Sequence, residues 1–169
     1  MAKYLSIPNR KGQAWGADLI IAIVIFSIAL SAIYLYSIND TRNQGELMDT
    51  LFYDGGKISD SILSQGYPSD WDSSDVLQLG ILEDGKISPD KLEKFSLFDY
   101  ERSRSLFNTR YDYYFFLEEP MLIAGSEVDG LGKPGVNRTN VISKDLIKIT
   151  RIVVYNNKIM PAYLYVFDG

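Results

Sequence analysis

The chain offers few side chains that could catalyse a reaction. It contains no cysteine and no histidine, which excludes thiolate nucleophiles, imidazole bases, disulfides and Cys/His zinc sites. Serine–lysine and carboxylate pairs remain, but no spacing among them marks a reacting pair. Glu118 and Glu119 lie at the end of a predicted strand, where adjacent side chains point to opposite faces and cannot act on one bond. We expect neither enzyme activity nor a cofactor.

Residues 80–86 have the GxxxxGK skeleton of a phosphate-binding loop. The next residue is Ile87, where such a loop needs a hydroxyl that binds magnesium. Within the loop, Glu83 and Asp84 would repel phosphate. We therefore interpret this segment as an ordinary turn between a strand and a helix.

Three acids, Asp70, Asp72 and Asp75, lie close together in a serine-rich loop around Trp71. Carboxylate oxygens at such spacing suit Ca²⁺, but the EF-hand spacing, its glycine and its closing glutamate are missing. We interpret the three acids as solvated side chains that cap a helix or turns, and we predict no metal site.

The N-terminal segment determines the cellular location of the rest of the chain. Lys3, Arg10 and Lys11 form a basic leader without acids, and residues 19–36 then carry no charge. At about 1.5 Å per residue, this run crosses most of the ~30 Å hydrocarbon core of a bilayer. The leader holds three of the 17 basic residues, which leaves 14 basic against 22 acidic residues in the remainder. Nucleic acid requires a basic face, so we predict no nucleic-acid partner.

Basic residues before an apolar run hold its N-terminal end in the cytoplasm, so the body of the chain is expected outside. Three fates fit this orientation. A secretory signal peptide would be cut near residues 29–31, although the apolar run continues to Tyr36. An uncleaved helix would be a single-pass anchor. In the third fate, the chain is cut before the apolar helix.

The third fate follows from a resemblance. Arg10, Lys11 and Gly12, followed by Gln13 and the apolar run, resemble the class III signal peptide of archaeal type IV pilins and pilin-like proteins. The resemblance implies that a prepilin peptidase removes residues 1–12 and that residues 13–36 remain as the assembly helix. It implies a structural subunit of a surface filament, whose partners are other pilin subunits and, before assembly, the membrane. The residues expected in assembly are Gln13, Asp18, Leu19, Ile21 and Phe26.

The chain departs from the family pattern at one position. The family usually has a glutamate at the fifth mature position, which is Ala17 here, and the acid Asp18 comes one residue later. On a helix, Gln13 and Asp18 lie ~140° apart, so they do not face each other. Asp18 either pairs with the new amino terminus of a neighbouring subunit or lies among lipid headgroups beside Trp15. The shift favours a minor or pilin-like subunit over a major pilin.

Beyond Tyr36, apolar residues recur at spacings of three, four and seven, which predicts an amphipathic continuation of the helix over residues 37–66. Residues 67–169 are then the exported head. In the head we predict strands at 76–82 and 111–117, with a turn at 83–85 after the first of them. We predict a helix start at residues 88–90, with the Ser88 hydroxyl as its cap and Asp90 in its first turn, and short helices at 91–98 and 101–107. A hairpin of 146–155 with 159–167 is expected to turn at Asn156-Asn157-Lys158. The glycine-rich residues 125–135 are predicted to lack secondary structure. The expected class is α+β, with a long N-terminal helix packed on an antiparallel sheet.

Two sequons for N-glycosylation occur in this exported part, at Asn39-Asp40-Thr41 and at Asn137-Arg138-Thr139. Both would be accessible if the body of the chain is outside the cell. The alternative to a filament subunit is a membrane-anchored extracellular binding module, which keeps residues 1–12 and does not polymerise.

Overall fold

The longest element is helix α1, Lys11–Ile62. The computed structural model describes residues 11–169, and for residues 11–15, 38–44 and 46 it describes the backbone without the side chains. The chain divides into two units, a first that ends at Glu46 and a second, Leu47–Gly169. Helix α1 contributes residues to both units.

The second unit contains three small antiparallel sheets and two further helices. Hairpin β1 (Leu82–Glu83) and β2 (Lys86–Ile87) precedes helices α2 (Pro89–Ser96) and α3 (Tyr100–Phe107). Strands β4 (Met121–Ile123) and β5 (Ser126–Val128) form a second hairpin. The main sheet has the order β6-β3-β8-β7, and its strands are β3 (Asp112–Leu117), β6 (Leu131–Gly132), β7 (Leu146–Tyr155) and β8 (Lys158–Phe167). The predicted α+β class, with a helix packed on an antiparallel sheet, is confirmed.

The part of α1 in the second unit packs on one face of the main sheet. Leu51, Ile58 and Ile62 are fully buried. Because burying one such side chain stabilises a fold by ~1.5–3 kcal/mol, these three contribute on the order of the net stability of a domain. Polar contacts with the rest of the unit also hold this part of the helix in place. The Thr109 hydroxyl donates to Asp54 at 2.8 Å, and the Arg151 guanidinium donates to Asp60 at 2.9 Å.

The main sheet buries residues on both faces. The face toward α1 belongs to the large core, to which β8 contributes Met160, Ala162, Leu164 and Val166. The opposite face carries a second apolar cluster of Tyr114, Phe116 and Phe167, against which Val136 and Val141 pack from the connection before β7. This explains why every residue of β3 is buried.

The strand predicted at residues 76–82 is wrong for most of its length. Only Leu82 belongs to a strand, and Tyr67 and Gln78 form an isolated bridge. Val76, Leu79 and Ile81 are buried in the core that contains the fully buried Trp71, whereas Leu77 is exposed. The indole Nε1 of Trp71 donates to the Gly80 carbonyl of this segment at 2.8 Å. The backbone N–H of Ile81 donates to Ile62 at 2.8 Å, so it serves the end of α1 instead of a sheet ladder.

The prediction that residues 125–135 lack secondary structure is also wrong, since β5 and β6 lie there. Strand β5 pairs with β4. Strand β6 is possible because Gly132, which has φ +146°, lies directly against the Tyr113 carbonyl of β3. A Cβ at this position would overlap that oxygen. The glycine is therefore the residue that permits this strand pairing.

Three local predictions are confirmed, and one is not. The turn at residues 83–85 and the Asn156-Asn157 turn both have positive φ at their central residues. Helix α2 begins at Pro89 with Asp90 in its first turn. However, the Ser88 hydroxyl does not cap that helix. It donates to a Glu83 carboxylate oxygen at 2.9 Å instead.

Candidate functional site

The candidate site is the apolar segment Gly16–Ser37 of α1. It has 22 residues and a mean hydropathy of 2.6, and none of it is buried in the structure. At ~1.5 Å per residue this helix is ~33 Å long, which matches the hydrocarbon thickness of a bilayer. In the part of the chain that the structure describes, this is the one helix long and apolar enough to cross a membrane.

The segment exposes apolar side chains around its whole circumference. The predicted assembly residues Leu19, Ile21 and Phe26 have exposed fractions of 63%, 56% and 67%. A helix that is apolar on every side is stable only when lipid or other apolar helices surround it. The large apolar side chains exposed in this segment are Leu19, Ile20, Ile21, Ile23, Val24, Ile25, Phe26, Ile28, Leu30, Ile33, Tyr34, Leu35 and Tyr36.

The two serine hydroxyls in the middle of the segment are hydrogen-bonded within the helix itself. Ser27 donates to the Ile23 carbonyl and Ser31 to the Ser27 carbonyl, both at 2.8 Å. A hydroxyl without a partner would be costly in an apolar medium, and this pattern removes that penalty. Neither serine therefore prevents this helix from lying in lipid.

Aromatic residues stand at both ends of the segment. Trp15 precedes it in the sequence, and Tyr34 and Tyr36 lie in its last turn with exposed fractions of 66% and 77%. Trp15 and Tyr34 are 19 positions apart in the sequence, which corresponds to ~29 Å of helix. Tryptophan and tyrosine prefer the two interfaces of a bilayer, and their separation here matches the distance between those interfaces.

Asp18 is the one charged residue within Gly16–Ser37, and its side chain is exposed. The backbone of α1 is helical from Lys11 onward, so positions 13 and 18 are separated by ~140° around the helix, as the sequence predicted. Ala17 occupies the position four residues after Gln13, on the same side of the helix as Gln13. The helix therefore does not bring Asp18 and Gln13 of one chain together.

The predicted processing residues are only partly covered by the structure. Arg10 lies outside the described residues, and Lys11, Gly12 and Gln13 are described by their backbone alone, within α1. The side chain of the sequon residue Asn39 is also outside the description. Cleavage after Gly12 and modification of Asn39 stay predictions.

Two of the three acids around Trp71, Asp72 and Asp75, cap turns, as predicted. The Asp72 carboxylate accepts hydrogen bonds from the backbone N–H and the hydroxyl of Ser74, both at 2.6 Å. Asp75 accepts from the backbone N–H of Asp72 at 2.9 Å. The hydrogen bonds from Ser74 lower the pKa of Asp72 below its ordinary value. Among the described residues, no group of three acids could hold a metal ion.

The GxxxxGK segment spans the β1–β2 hairpin, with Gly85 at its tip and Lys86 in β2, so its turn joins two strands and not, as predicted, a strand and a helix. It does not open a helix at its lysine, which a phosphate-binding loop requires. Glu118 and Glu119 are exposed residues that follow β3, and Glu119 pairs with Lys158 at 3.2 Å. These motifs therefore have structural explanations.

One polar cluster was missed by the sequence predictions. Asp112, the first residue of β3, is almost completely buried, with 8% of its side chain exposed. Its carboxylate accepts hydrogen bonds from the Lys133 ammonium and, at 2.7 Å, from the Tyr100 hydroxyl. The guanidinium of Arg104 lies 3.6 Å away. The cluster joins α3, β3 and the connection after β6 at one point.

Burial alone would raise the pKa of Asp112. The hydrogen bonds from Lys133 and Tyr100 and the charges of Lys133 and Arg104 outweigh burial and hold this pKa below its ordinary value. Burial and the bond to Asp112 raise the pKa of Tyr100 far above its ordinary value. Asp112 is therefore ionised and paired near neutral pH. Tyr100, Lys133 and Arg104 already donate to the Asp112 carboxylate or pair with it. The cluster is therefore suited to a structural role and not to general acid or base catalysis.

In comparisons with protein-family models, with curated proteins and with solved structures, none matches this chain.

Proposed function

We propose that this chain is a pilin-like structural subunit of a surface filament of the archaeal type IV pilus kind. After removal of residues 1–12 the subunit is held in the membrane by its apolar helix. It then assembles with other pilin subunits, self or related, through that helix. The head, which follows the apolar helix in the chain, lies outside the cell.

The observation that carries the proposal is the complete exposure of the apolar segment Gly16–Ser37 on a helix whose later turns are built into a folded head. Such a segment has to be covered by lipid or by the helices of other copies. In the proposed assembly, lipid covers it first and neighbouring helices cover it later. Exchange of lipid for neighbouring helices changes the hydrophobic free energy little, so close packing and the pairing of Asp18 must supply the specificity of assembly. The basic leader that ends in Arg10, Lys11 and Gly12 adds the processing signal on which the resemblance rests.

The first test is the N-terminal sequence and intact mass of the protein isolated from its native membrane or cell surface. The proposal predicts that the mature chain begins at Gln13. A start at Met1 or Ala2 would contradict it and would support the alternative, a membrane-anchored extracellular binding module that does not polymerise.

The second test is the substitution Gly12→Val, which should block cleavage and assembly without unfolding the head, since residue 12 is not part of the second unit. The matched control is Gly45→Val, a substitution on the same helix at a position where an added Cβ would contact nothing within 4 Å. Gly45→Val should leave cleavage intact. Filaments assembled from Gly12→Val subunits that retain the leader would refute the proposal.

A further inference from the structure

The sequon at Asn137 lies in a tight turn in the connection between β6 and β7. The backbone N–H of Asn137 donates to the side-chain oxygen of Asn140 at 2.6 Å. In return, the Asn137 Oδ1 accepts three hydrogen bonds, from the backbone N–H groups of Thr139 and Asn140, both at 2.9 Å, and from the Thr139 hydroxyl at 2.8 Å. The sequon threonine is therefore already bonded to the asparagine side chain.

The middle residue of the sequon anchors this turn to the head. The Arg138 guanidinium forms an ion pair with Asp129 and donates to the Glu118 carbonyl at 3.3 Å. It also lies 5.3 Å from the centroid of the Phe116 ring. Arg138 is thus directed onto the sheet surface, while Thr139 and Asn140 are exposed and Asn137 is half-buried. The anchor holds the acceptor asparagine at the surface of the head.

The two asparagines of the turn use their amide nitrogens differently. Asn140 donates its Nδ2 to the Gly135 carbonyl at 2.9 Å. The Nδ2 of Asn137 has no hydrogen-bond partner among the residues that the structure describes. Of the two, only Asn137 has a threonine two positions later, and only its nitrogen is free.

We propose that Asn137 is an N-glycosylation site of this protein. The co-reactant is a sugar activated by a lipid-linked phosphate or pyrophosphate. A bond forms between Nδ2 and the anomeric carbon of the sugar, and the bond from that carbon to the phosphate oxygen breaks. Nδ2 loses one proton to the base of the transferase, and the lipid phosphate leaves with the bonding electrons. This modification rests on the proposed function, because it requires the head to lie outside.

The fold tolerates this modification because the bonds that hold the turn are made by other atoms. The three hydrogen bonds accepted by Asn137 use Oδ1, and the substituted Nδ2 keeps one proton and has no protein partner to lose. The glycosylated amide remains uncharged and keeps its oxygen. We therefore expect the same turn with and without the sugar.

The test is the intact mass of the full chain from its native membrane, with the modified peptide located by fragmentation. We expect the wild-type chain to exceed its polypeptide mass by at least one sugar residue, attached at Asn137. Thr139→Ala should remove this increment from residue 137, and Thr139→Ser should retain it, because serine also completes the sequon. Asn140→Gln is the matched control and should retain the increment. An unmodified Asn137 in the wild-type chain would overturn the proposal.

A second measurement separates this proposal from the proposed function. The chain contains no cysteine, so Ile142→Cys, at a side chain with an exposed fraction of 96%, would be its single thiol. Labelling of intact cells with a membrane-impermeant maleimide reports whether this loop lies outside. A labelled thiol with an unmodified Asn137 overturns the glycosylation proposal and leaves export standing. A thiol that reacts only after lysis contradicts export itself.

Discussion

Two adjacent glycines of α1 should respond in opposite ways to the same substitution. A Cβ on Gly55 would lie 2.7 Å from the Ile149 Cδ1 and 2.8 Å from the Ile147 Cδ1. A Cβ on Gly56 would meet no atom within 4 Å outside the backbone of its own helix. We predict that Gly55→Val destabilises the head, whereas Gly56→Val stabilises it slightly.

The size of the effect follows from two terms. Valine is a better helix former than glycine by about 0.4 kcal/mol, and this gain applies at both positions. At position 55, the added methyl groups must displace the Cδ1 atoms of Ile149 and Ile147, and Ile147 is only 4% exposed. Overpacking of this kind costs about 1–3 kcal/mol. The two variants should therefore differ by about 2 kcal/mol in the free energy of unfolding.

The assay is urea unfolding of the full chain in detergent micelles. The chain has two tryptophans, and in a Trp15→Phe background the remaining one is Trp71, which is fully buried in the head. Its fluorescence emission shifts to the red when the head unfolds. A difference between Gly55→Val and Gly56→Val below about 0.5 kcal/mol would refute the argument that the close approach of α1 to β7 requires glycine at position 55.

Three further substitutions should destabilise the head, each measurable by urea unfolding followed by near-ultraviolet circular dichroism. Asp112→Asn should lower the free energy of unfolding by about 2 kcal/mol at pH 7, because it removes the partner of Lys133. Since the pKa of Asp112 is lowered in the folded state, the wild-type chain should lose this stabilisation as the pH falls below about 4, and the variant should not. Asp99→Ala should cost about 1 kcal/mol, because Asp99 caps α3 through the Arg102 N–H at 2.8 Å. Trp71→Phe should cost about 2 kcal/mol, because it leaves the buried Gly80 carbonyl without its donor. If one of these variants has the same free energy of unfolding as the wild-type chain, the stabilising role assigned to its contact is contradicted.

The elements that the sequence predicted well are those specified by neighbouring residues. The turn at Asn156 and Asn157 has φ values of 48° and 59°, which asparagine tolerates, and it places the two longest strands side by side. The apolar helix could also be predicted directly, because its length and hydropathy are properties of that segment alone. Local signals of this kind do not depend on tertiary contacts.

The errors arose where tertiary contacts decide the structure. Val76, Leu79 and Ile81 have the apolar character of a strand, but they are buried around Trp71, and their backbone groups bond to the end of α1 and the loop after it. The second error is the reverse, a strand where a loop was predicted. The glycines of residues 125–135 indicated a loop, whereas Gly132 permits a strand. Composition cannot distinguish a glycine that gives flexibility from one that allows close approach.

The cluster around Asp112 could not be predicted from the sequence. Its members lie at positions 100, 104, 112 and 133, and no regular spacing relates them. The one available signal was a lone acid at the start of an otherwise aromatic strand. Such an acid has to find a donor when it is buried, but the sequence does not say which donor.

The position of β8 in the main sheet affects the timing of folding during synthesis. β8 pairs with β3 on one side and with β7 on the other, so the sheet cannot close before β8 has been made. The apolar segment Gly16–Ser37 leaves the ribosome roughly 130 residues earlier, which is about 7–25 s at ordinary rates of translation. The apolar segment is thus already synthesised while the head is still unable to fold, which is the state that the proposed export of an unfolded head would require. During that interval the aromatic residues of β3 lack their partner strand, and they are the part of the nascent chain that most needs protection from aggregation.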